Sequence, residues 1–507
     1  MFGRLMKHFV YISFAAVCFV AAISCSKRFQ GAEPESFSGE EQLVELTASL
    51  QPHVRTYLNS EFKTRWNDGD VVAVFDGQKR QFDMTANSGA SATFSGHIST
   101  EATTVYAVYP FSGAESEDGG DNVTVNIPAE QIIADGESTA RGALVAVSKV
   151  TSLGSGVSFK NVVGLVKVTL GEGIASVKLT GANNEGIAGS VQVNAADGSL
   201  VGSPSGTSVV IKPVSGTFAA GDYYIAVAPV TLADGFTLTF HNQYSASAKK
   251  VGANSLAIPQ NGGKDLGDVT TGLVFPSGLP CGWNFYAAGY TSASESLTSL
   301  RESENGQHWL NDGYLLPTSG INADARLTAV TTKDAGSIER SFNPSIQCNG
   351  MAKNDYWLVT IPVKNFVKDE TRFTIEMGAG GAANGAGIWI MGYSTDGSSW
   401  SGFGNTITTT RGESSFKAHL WTTYSTISAS GYTNLRKRYI KKSFDEDTDT
   451  EKYSYKKYTF TSPVTIADGI LYLRLRTWYS GSQTSLGTAK NTSWTDLKGF
   501  EVSFAED

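Results

Sequence analysis

EFKTRWNDGDVVAVFDGQKRQFDMTANSGASATFSGHISTEATTVYAVYPF, residues Glu61 to Phe111, decides the fold class. Phe62 and Trp66 precede a turn at Asn67-Asp68-Gly69-Asp70, which leads into the apolar run Val71 to Phe75. Asp76-Gly77 turns the chain again. Ala92-Thr93-Phe94 and Val105-Tyr106-Ala107-Val108-Tyr109-Pro110 follow. Short apolar runs rich in Val, Tyr and Phe, bounded by Asp-Gly and Asn-Asp turns, predict strands of an antiparallel, all-β domain.

Around this block the chain has 507 residues, a length that suits about two to four domains. It is rich in glycine (54) and poor in proline (14), and 41% of its residues are hydrophobic. That composition fits a folded β protein with many turns and excludes a disordered chain. Residues 1–24 read as a signal peptide: Arg4 and Lys7 form the basic start, Phe9 to Ile23 the apolar stretch, too short for a membrane-spanning helix. Loss of Arg4 and Lys7 with that segment takes the formal charge from −8 to about −10. A mildly acidic surface argues against binding the phosphate backbone of nucleic acid.

The segment ends in Ala22-Ile23-Ser24-Cys25, similar to the lipobox of bacterial lipoproteins, with Ala where Leu is commoner. Cys25 is therefore the expected lipidation site; the alternative is an ordinary signal peptide followed by a chance cysteine. Acyl chains on Cys25 would anchor the protein, each buried methylene contributing ~0.8 kcal/mol. Ser26 to Gly39 is polar and completes a tether over 25–40. Cys18 lies in the removed stretch. Cys281 and Cys348 remain, as a disulfide in an oxidising compartment or as two buried thiols.

The opening block also resembles the first half of the fimbrillin pilins of Gram-negative anaerobes. They carry W-x-x-G-D-x-[IV]-x-V-F, then F-x-G, then Y-A-x-Y-P. Here these are Trp66 to Phe75, Phe94-Ser95-Gly96 and Tyr106 to Pro110. Pro128-Ala129-Glu130-Gln131 matches the family's P-x-x-Q. Phe159-Lys160-Asn161 with Val163 to Val168, and Tyr223 to Pro229 with Gly235 to Phe240, continue the likeness to about residue 270. It implies a two-subdomain, transthyretin-like β-sandwich, with an N-terminal subdomain over 41–160 and a second over 161–272.

Glu40 to Leu50 fits a helix through Leu43, Leu46 and Leu50, and a strand through Val44, Leu46 and Ala48. The resemblance favours the strand, since fimbrillins begin their domain with one here. In polymerising fimbrillins a trypsin-like protease cuts after an Arg behind the first strand, which leaves, and a neighbour's strand fills the groove. By resemblance Arg55 is the expected cut site and Arg65 the runner-up; the alternative is that Arg55 is an ordinary loop cation and the strand stays. Strand addition takes affinity from main-chain hydrogen bonds and register from alternate side chains.

Composition changes after Gly272 to Gly282. Trp66 is the one Trp before it and eight follow, marking a separate domain over 273–507. Trp357 to Val363, Phe373 to Met377, Ile388 to Ser394, Ile470 to Arg476 and Phe500 to Phe504 predict the strands of a β-sandwich. The turn Tyr393-Ser394-Thr395-Asp396-Gly397 with Trp400, and the strand Leu471-Tyr472-Leu473-Arg474-Leu475-Arg476, resemble galactose-binding-like jelly rolls of carbohydrate-binding modules. Sugar rings stack their C–H faces on Trp and Tyr. Trp309, Trp400, Trp421, Trp478 and Tyr479 are the candidate ligand contacts; the competing role for each is core packing, the expected place of Trp357 and Trp389.

No catalytic constellation stands out. The six His are scattered and name no metal site, and neither a phosphate loop nor a G-x-S-x-G elbow occurs. Arg436 to Lys442 is basic and is followed by Asp445, Glu446, Asp447, Asp449 and Glu451, the pattern of a solvated, charge-paired hairpin. Asp445, Asp447 and Asp449 alternate as in calcium loops but lack the EF-hand Gly and terminal Glu; a structural calcium ion with unnamed ligands stays open. The expectation is a non-enzymatic lipoprotein at the outer membrane surface or in a fimbrium. It would be a fimbrial tip or accessory subunit that meets other subunits by strand addition and a host or microbial glycan or protein through its last domain. The alternative is a monomeric glycan-binding lipoprotein serving nutrient capture.

Overall fold

The computed structural model describes residues 40–50, 66–89, 91–153, 156–284, 316–317, 319–330, 338–340, 346–349, 356–381, 389–403, 408–409, 419–420, 456–477 and 494–505. The fold is all-β, and no α-helix occurs among the described residues.

The N-terminal part contains β1 (Glu41–Leu50), β2 (Val71–Phe75), β3 (Lys79–Asn87), β4 (Ser91–Ser99), β5 (Val105–Tyr109), β6 (Ala114–Gly119), β7 (Asn122–Ile127), β8 (Glu130–Ile133), β9 (Ala146–Val150) and β10 (Val157–Asn161). Seven of these close a barrel in the order β1-β10-β9-β5-β2-β3-β4. Residues 41–50 form a strand, as the resemblance implied, and β1 closes the ring. It runs antiparallel to β4 from Glu41↔Ser99 to Ser49↔Ser91 and parallel to β10 from Ala48↔Val157 to Leu50↔Phe159.

The runs Val71–Phe75 and Val105–Tyr109 are apolar throughout because both faces of β2 and β5 are covered. Val72, Val74, Val105 and Ala107 point into the barrel core, whereas Phe75, Tyr106 and Val108 pack outward against Val123 and Val125 of β7. A strand buried on both faces has no polar side to alternate with.

The next elements are β11 (Gly164–Leu170), β12 (Ile174–Gly181), β13 (Gly189–Asn194), β14 (Ser208–Pro213), β15 (Gly221–Val227), β16 (Val230–Leu232), β17 (Phe236–Asn242), β18 (Ser247–Gly252), β19 (Leu256–Ile258) and β20 (Gly263–Asp268). A sheet ordered β15-β11-β20 faces one ordered β18-β17-β12-β14-β8. The expected division at 160/161 is crossed: β7 pairs β13 and β8 pairs β14, so β6 to β8 belong by hydrogen bonding to the second half. The P-x-x-Q glutamine is the pin. Gln131 is buried, donates from Nε2 to Ala226 O (2.6 Å) and Pro128 O (3.1 Å), and accepts from Ala226 N (3.0 Å). A side-chain amide thus ties β8 to β15 in the opposite sheet, with its carbonyl and amide group both satisfied.

The C-terminal part contains β21 (Cys281–Asn284), β22 (Ser319–Gly320), β23 (Arg326–Val330), β24 (Ile338–Arg340), β25 (Ile346–Asn349), β26 (Tyr356–Phe366), β27 (Arg372–Gly381), β28 (Trp389–Ser394), β29 (Thr408–Thr409), β30 (His419–Leu420), β31 (Lys456–Thr461), β32 (Ile466–Thr477) and β33 (Trp494–Phe504). Two sheets form a sandwich, one containing β21-β33-β27-β31 and the other β26-β32-β28-β30. Taken in chain order as strands 1 to 8, these run 1-8-3-6 and 2-7-4-5, the jelly-roll order, with β23 added beside β26. Trp357 (1% exposed), Leu471, Leu473 and Leu475 from one sheet meet Phe373, Phe460, Phe500 and Val502 from the other.

The segment between the last two parts is strapped down. Ser277 and Lys364 exchange backbone hydrogen bonds, and Asn322 Nδ2 donates to Gly278 O (2.8 Å) and Pro362 O (2.7 Å). Ala246, at the tip of the β17–β18 hairpin, is buried in the C-terminal core, Tyr244 packs against that core, and Phe275 packs against both cores. Asn242 Oδ1 shapes the tip by accepting from the N–H groups of Tyr244 (2.9 Å) and Ala246 (3.0 Å).

The Cys281–Cys348 disulfide is not formed. Cys281 is a free buried thiol, its pKa pushed up to about 12, chiefly by burial and further by Glu501. Cys281 lies opposite Val502 and Cys348 opposite Thr495, so the two positions stand seven residues apart along β33. At about 3.3 Å per residue that is roughly 20 Å, far beyond the ~7 Å Cα limit for a disulfide.

Candidate functional site

Two places merit description, the slot that holds β1 and the outer face of the C-terminal β26-β32-β28 sheet. In β1, Val44, Leu46 (2% exposed) and Ala48 (1%) turn inward, while Leu43 (63%), Glu45, Thr47 and Ser49 face out. Val44 lies opposite Gly96, Leu46 opposite Phe94 and Ala48 opposite Ala92. Gly96 has no alternative at this position: the Phe82 ring occupies its Cβ space. Trp66 sits behind the lower end of the slot, ring centroids 5.0 Å from Phe94, 5.3 Å from Tyr109 and 5.8 Å from Phe159. Edge-to-face packing suits aromatic quadrupoles at these distances.

The backbone of Trp66 is fixed independently of β1. Its N–H donates to Gly89 O (2.8 Å), and Asn87 Nδ2 donates to its carbonyl (3.1 Å). The Asn67–Asp70 turn is closed by the Asn67 N–H on Asp70 Oδ2 (2.9 Å), and Tyr109 donates its hydroxyl to Asp70 Oδ1 (3.1 Å). Burial raises the Asp70 carboxyl above its ordinary value, and these two hydrogen bonds oppose the rise. Burial, with the Asp70 charge beside it, also pushes the Tyr109 hydroxyl well up. At the other end of β1, Glu41 Oε1 pairs with Arg80 (2.6 Å), which also holds Asp76 (3.1 Å).

On the C-terminal sheet, Asp396 Oδ1 accepts from the N–H groups of Ser398 and Ser399 (2.7 Å each) and the Ser394 hydroxyl (2.8 Å), and its carboxyl is held well below the usual range by these bonds. The loop returns so that Tyr393 and Ser401 pair through their backbones. Phe403 then enters the core, 4.3 Å from Phe460, while half-buried Trp400 lies on the outside. A Cβ on Gly392 would come within 3.0 Å of Ser401 O, so glycine lets the loop lie on the sheet. The Arg474 guanidinium stands 4.1 Å from the Trp400 ring centroid and 5.3 Å from that of Tyr356, with the two rings 6.0 Å apart.

Of the expected site residues, Trp400 alone falls on a described surface. Cys25, Arg55, Arg65, Trp309, Trp421, Trp478 and Tyr479 lie outside the described residues, as do Asp445, Asp447 and Asp449. Among the described residues no group of three His, Cys, Asp or Glu side chains is arranged to hold a metal ion. Trp66 as the packing partner of the slot, Arg80 as its clasp, and Arg474 and Tyr356 as partners of Trp400 are not legible in the sequence. Arg474 was visible only as a charge alternating with leucines in an otherwise apolar strand.

No family model matches the chain, and no curated protein does. Solved structures similar to it include a protein of Bacteroides ovatus named for a cell-adhesion role, at 10% identity over 46% of this chain and 95% of that one, TM-score 0.31. A Bacteroides fragilis protein named likewise shows 11% identity over 46% and 96%, TM-score 0.26. A fimbrial protein of Bacteroides ovatus shows 14% identity over 44% and 48%, TM-score 0.25. At these TM-scores the likeness assigns neither family nor activity.

Proposed function

We propose that this chain is a cell-surface fimbrial tip or accessory subunit, held at the outer membrane through Cys25 until it is cut after Arg55, whose C-terminal sandwich contacts a glycan or protein on another surface. The observation that carries this is the position of β1. It is the first strand described, it fills a slot lined by Phe94 and Trp66, and only residues 51–65, with Arg55 and Arg65, join it to the next described residue. Cleavage after Arg55 would leave β1 held by noncovalent contacts alone, and its departure would free the edges of β4 and β10 for a strand from another subunit. A sandwich of the size of β21 to β33 would burden every repeat of a stalk, which favours a tip position.

Immunogold labelling of sheared fimbriae tests the proposal. Label at fibre ends, lost from the cell surface with Cys25→Ala, is the expected result. Label along the whole fibre, or none on fibres, contradicts it. The alternative, a monomeric glycan-binding lipoprotein, draws on the Trp400, Tyr356 and Arg474 cluster, which does not involve β1. It predicts no label on fibres and glycan retention by the intact monomer.

A further inference from the structure

Granted exchange of β1 as proposed above, on which this rests, we infer that the slot selects its incoming strand by side-chain size at its inward positions, above all at the one now filled by Ala48, where Trp66 admits only a small side chain. Ala48 is flanked by Ala92 on β4 and Val157 on β10. Two facing alanines leave empty volume in a barrel interior, and interiors tolerate little of it. The indole of Trp66 supplies bulk at this end, packed between Phe94 and Phe159, which lie on the two strands that flank β1. Trp66 is held by Gly89 and Asn87, so it stays when β1 goes.

The other inward positions ask for different sizes. Leu46 is enclosed against Phe94, so the slot takes a large aliphatic group there. Val44 lies beside Gly96, over which the Phe82 ring has already moved, so a β-branched residue fits where a longer one would meet the ring. Arg80 adds a preference for a carboxylate three residues before the β-branched position. The partner is therefore an extended segment reading acid, then β-branched, large aliphatic and small at alternate positions. It runs antiparallel to β4 and parallel to β10. A shift by one residue would turn this whole set outward, and a shift by two would bring a large side chain to the small position, so the small residue also sets the register.

The test uses full-length protein cut by an Arg-specific protease, with fluorescent peptides of the Glu41–Leu50 sequence. The native peptide and one with the outward change Thr47→Leu should incorporate equally. Peptides with Ala48→Leu or Leu46→Ala should incorporate at least about tenfold less, the first by overpacking and the second by leaving a cavity. Equal incorporation of the Ala48→Leu peptide overturns the inference and leaves strand exchange standing. If no peptide enters, exchange itself fails, and the uncut chain decides the size rule. There Ala48→Leu should lower the melting temperature and Thr47→Leu should not; equal melting temperatures overturn it.

Discussion

Arg474 holds its guanidinium 4.1 Å from the ring centroid of Trp400, on the outer face of the jelly roll. Arg474 is 9% exposed, so the contact is largely shielded from water, where a cation over an indole contributes about 1–2 kcal/mol. Arg474→Met should cost about that much in urea unfolding. Trp400→Ala should cost less than the ~3–5 kcal/mol typical of a core aromatic, and should abolish glycan retention if this face binds sugar. A core-sized loss would make Trp400 a packing residue and remove it from the ligand surface.

Gln131 satisfies the backbone of Ala226 on both its N–H and its carbonyl. Gln131→Leu keeps the volume and removes both bonds. It should destabilise the protein by about 2–3 kcal/mol through the two buried backbone groups left without partners. A change under about 0.5 kcal/mol, the size expected of a surface substitution, would show that the tie is not needed.

Asp70 gives a pH dependence of defined sign. Its carboxyl is raised from the ordinary 3.8, mainly by burial, so the folded state keeps this proton at pH values where the unfolded chain has released it. Ionised Asp70 therefore costs stability at neutral pH. That cost disappears as pH falls through the folded-state pKa and is absent below 3.8. The stability of the wild type relative to Asp70→Asn should rise between pH 7 and pH 4, followed by urea midpoints. A flat or falling difference would mean that Asn67 and Tyr109 outweigh burial.

Ala246 links the second and third parts of the molecule. Ala246→Arg puts a charge where a methyl group is fully enclosed in the C-terminal core. The wild type should unfold these two parts in one calorimetric transition, and the variant in two. Two transitions in the wild type would mean that the junction does not couple them.

Much of this architecture could be read from side-chain pattern. The unbroken runs Val71–Phe75 and Val105–Tyr109 declared strands, and the structure explains them as strands buried on both faces. The Trp-rich last part announced its own sandwich. Pairing partners were another matter. Nothing local in Asn122–Ile127 tells that it will bond to Gly189–Asn194, so the division at 160/161 was drawn through an interlocked sheet. Compartment and count leave Cys281 and Cys348 open between a disulfide and two thiols, because neither carries their separate positions along β33. In the site, Trp400 was legible as a turn-associated aromatic. Arg474 was not, because its role depends on which strand lies beside β32 and on a loop folding back over Gly392.

The exchangeability of β1 is tested most directly by digesting the mature protein with an Arg-specific protease, then combining N-terminal sequencing with mass measurement of the species that elute together. One early cut after Arg55, an otherwise intact chain, and replacement of the 41–50 strand by an excess of added Glu41–Leu50 peptide are the expected results. Resistance to cutting between residues 51 and 65, or a cut chain that keeps its own β1 through prolonged incubation with the peptide, would contradict it.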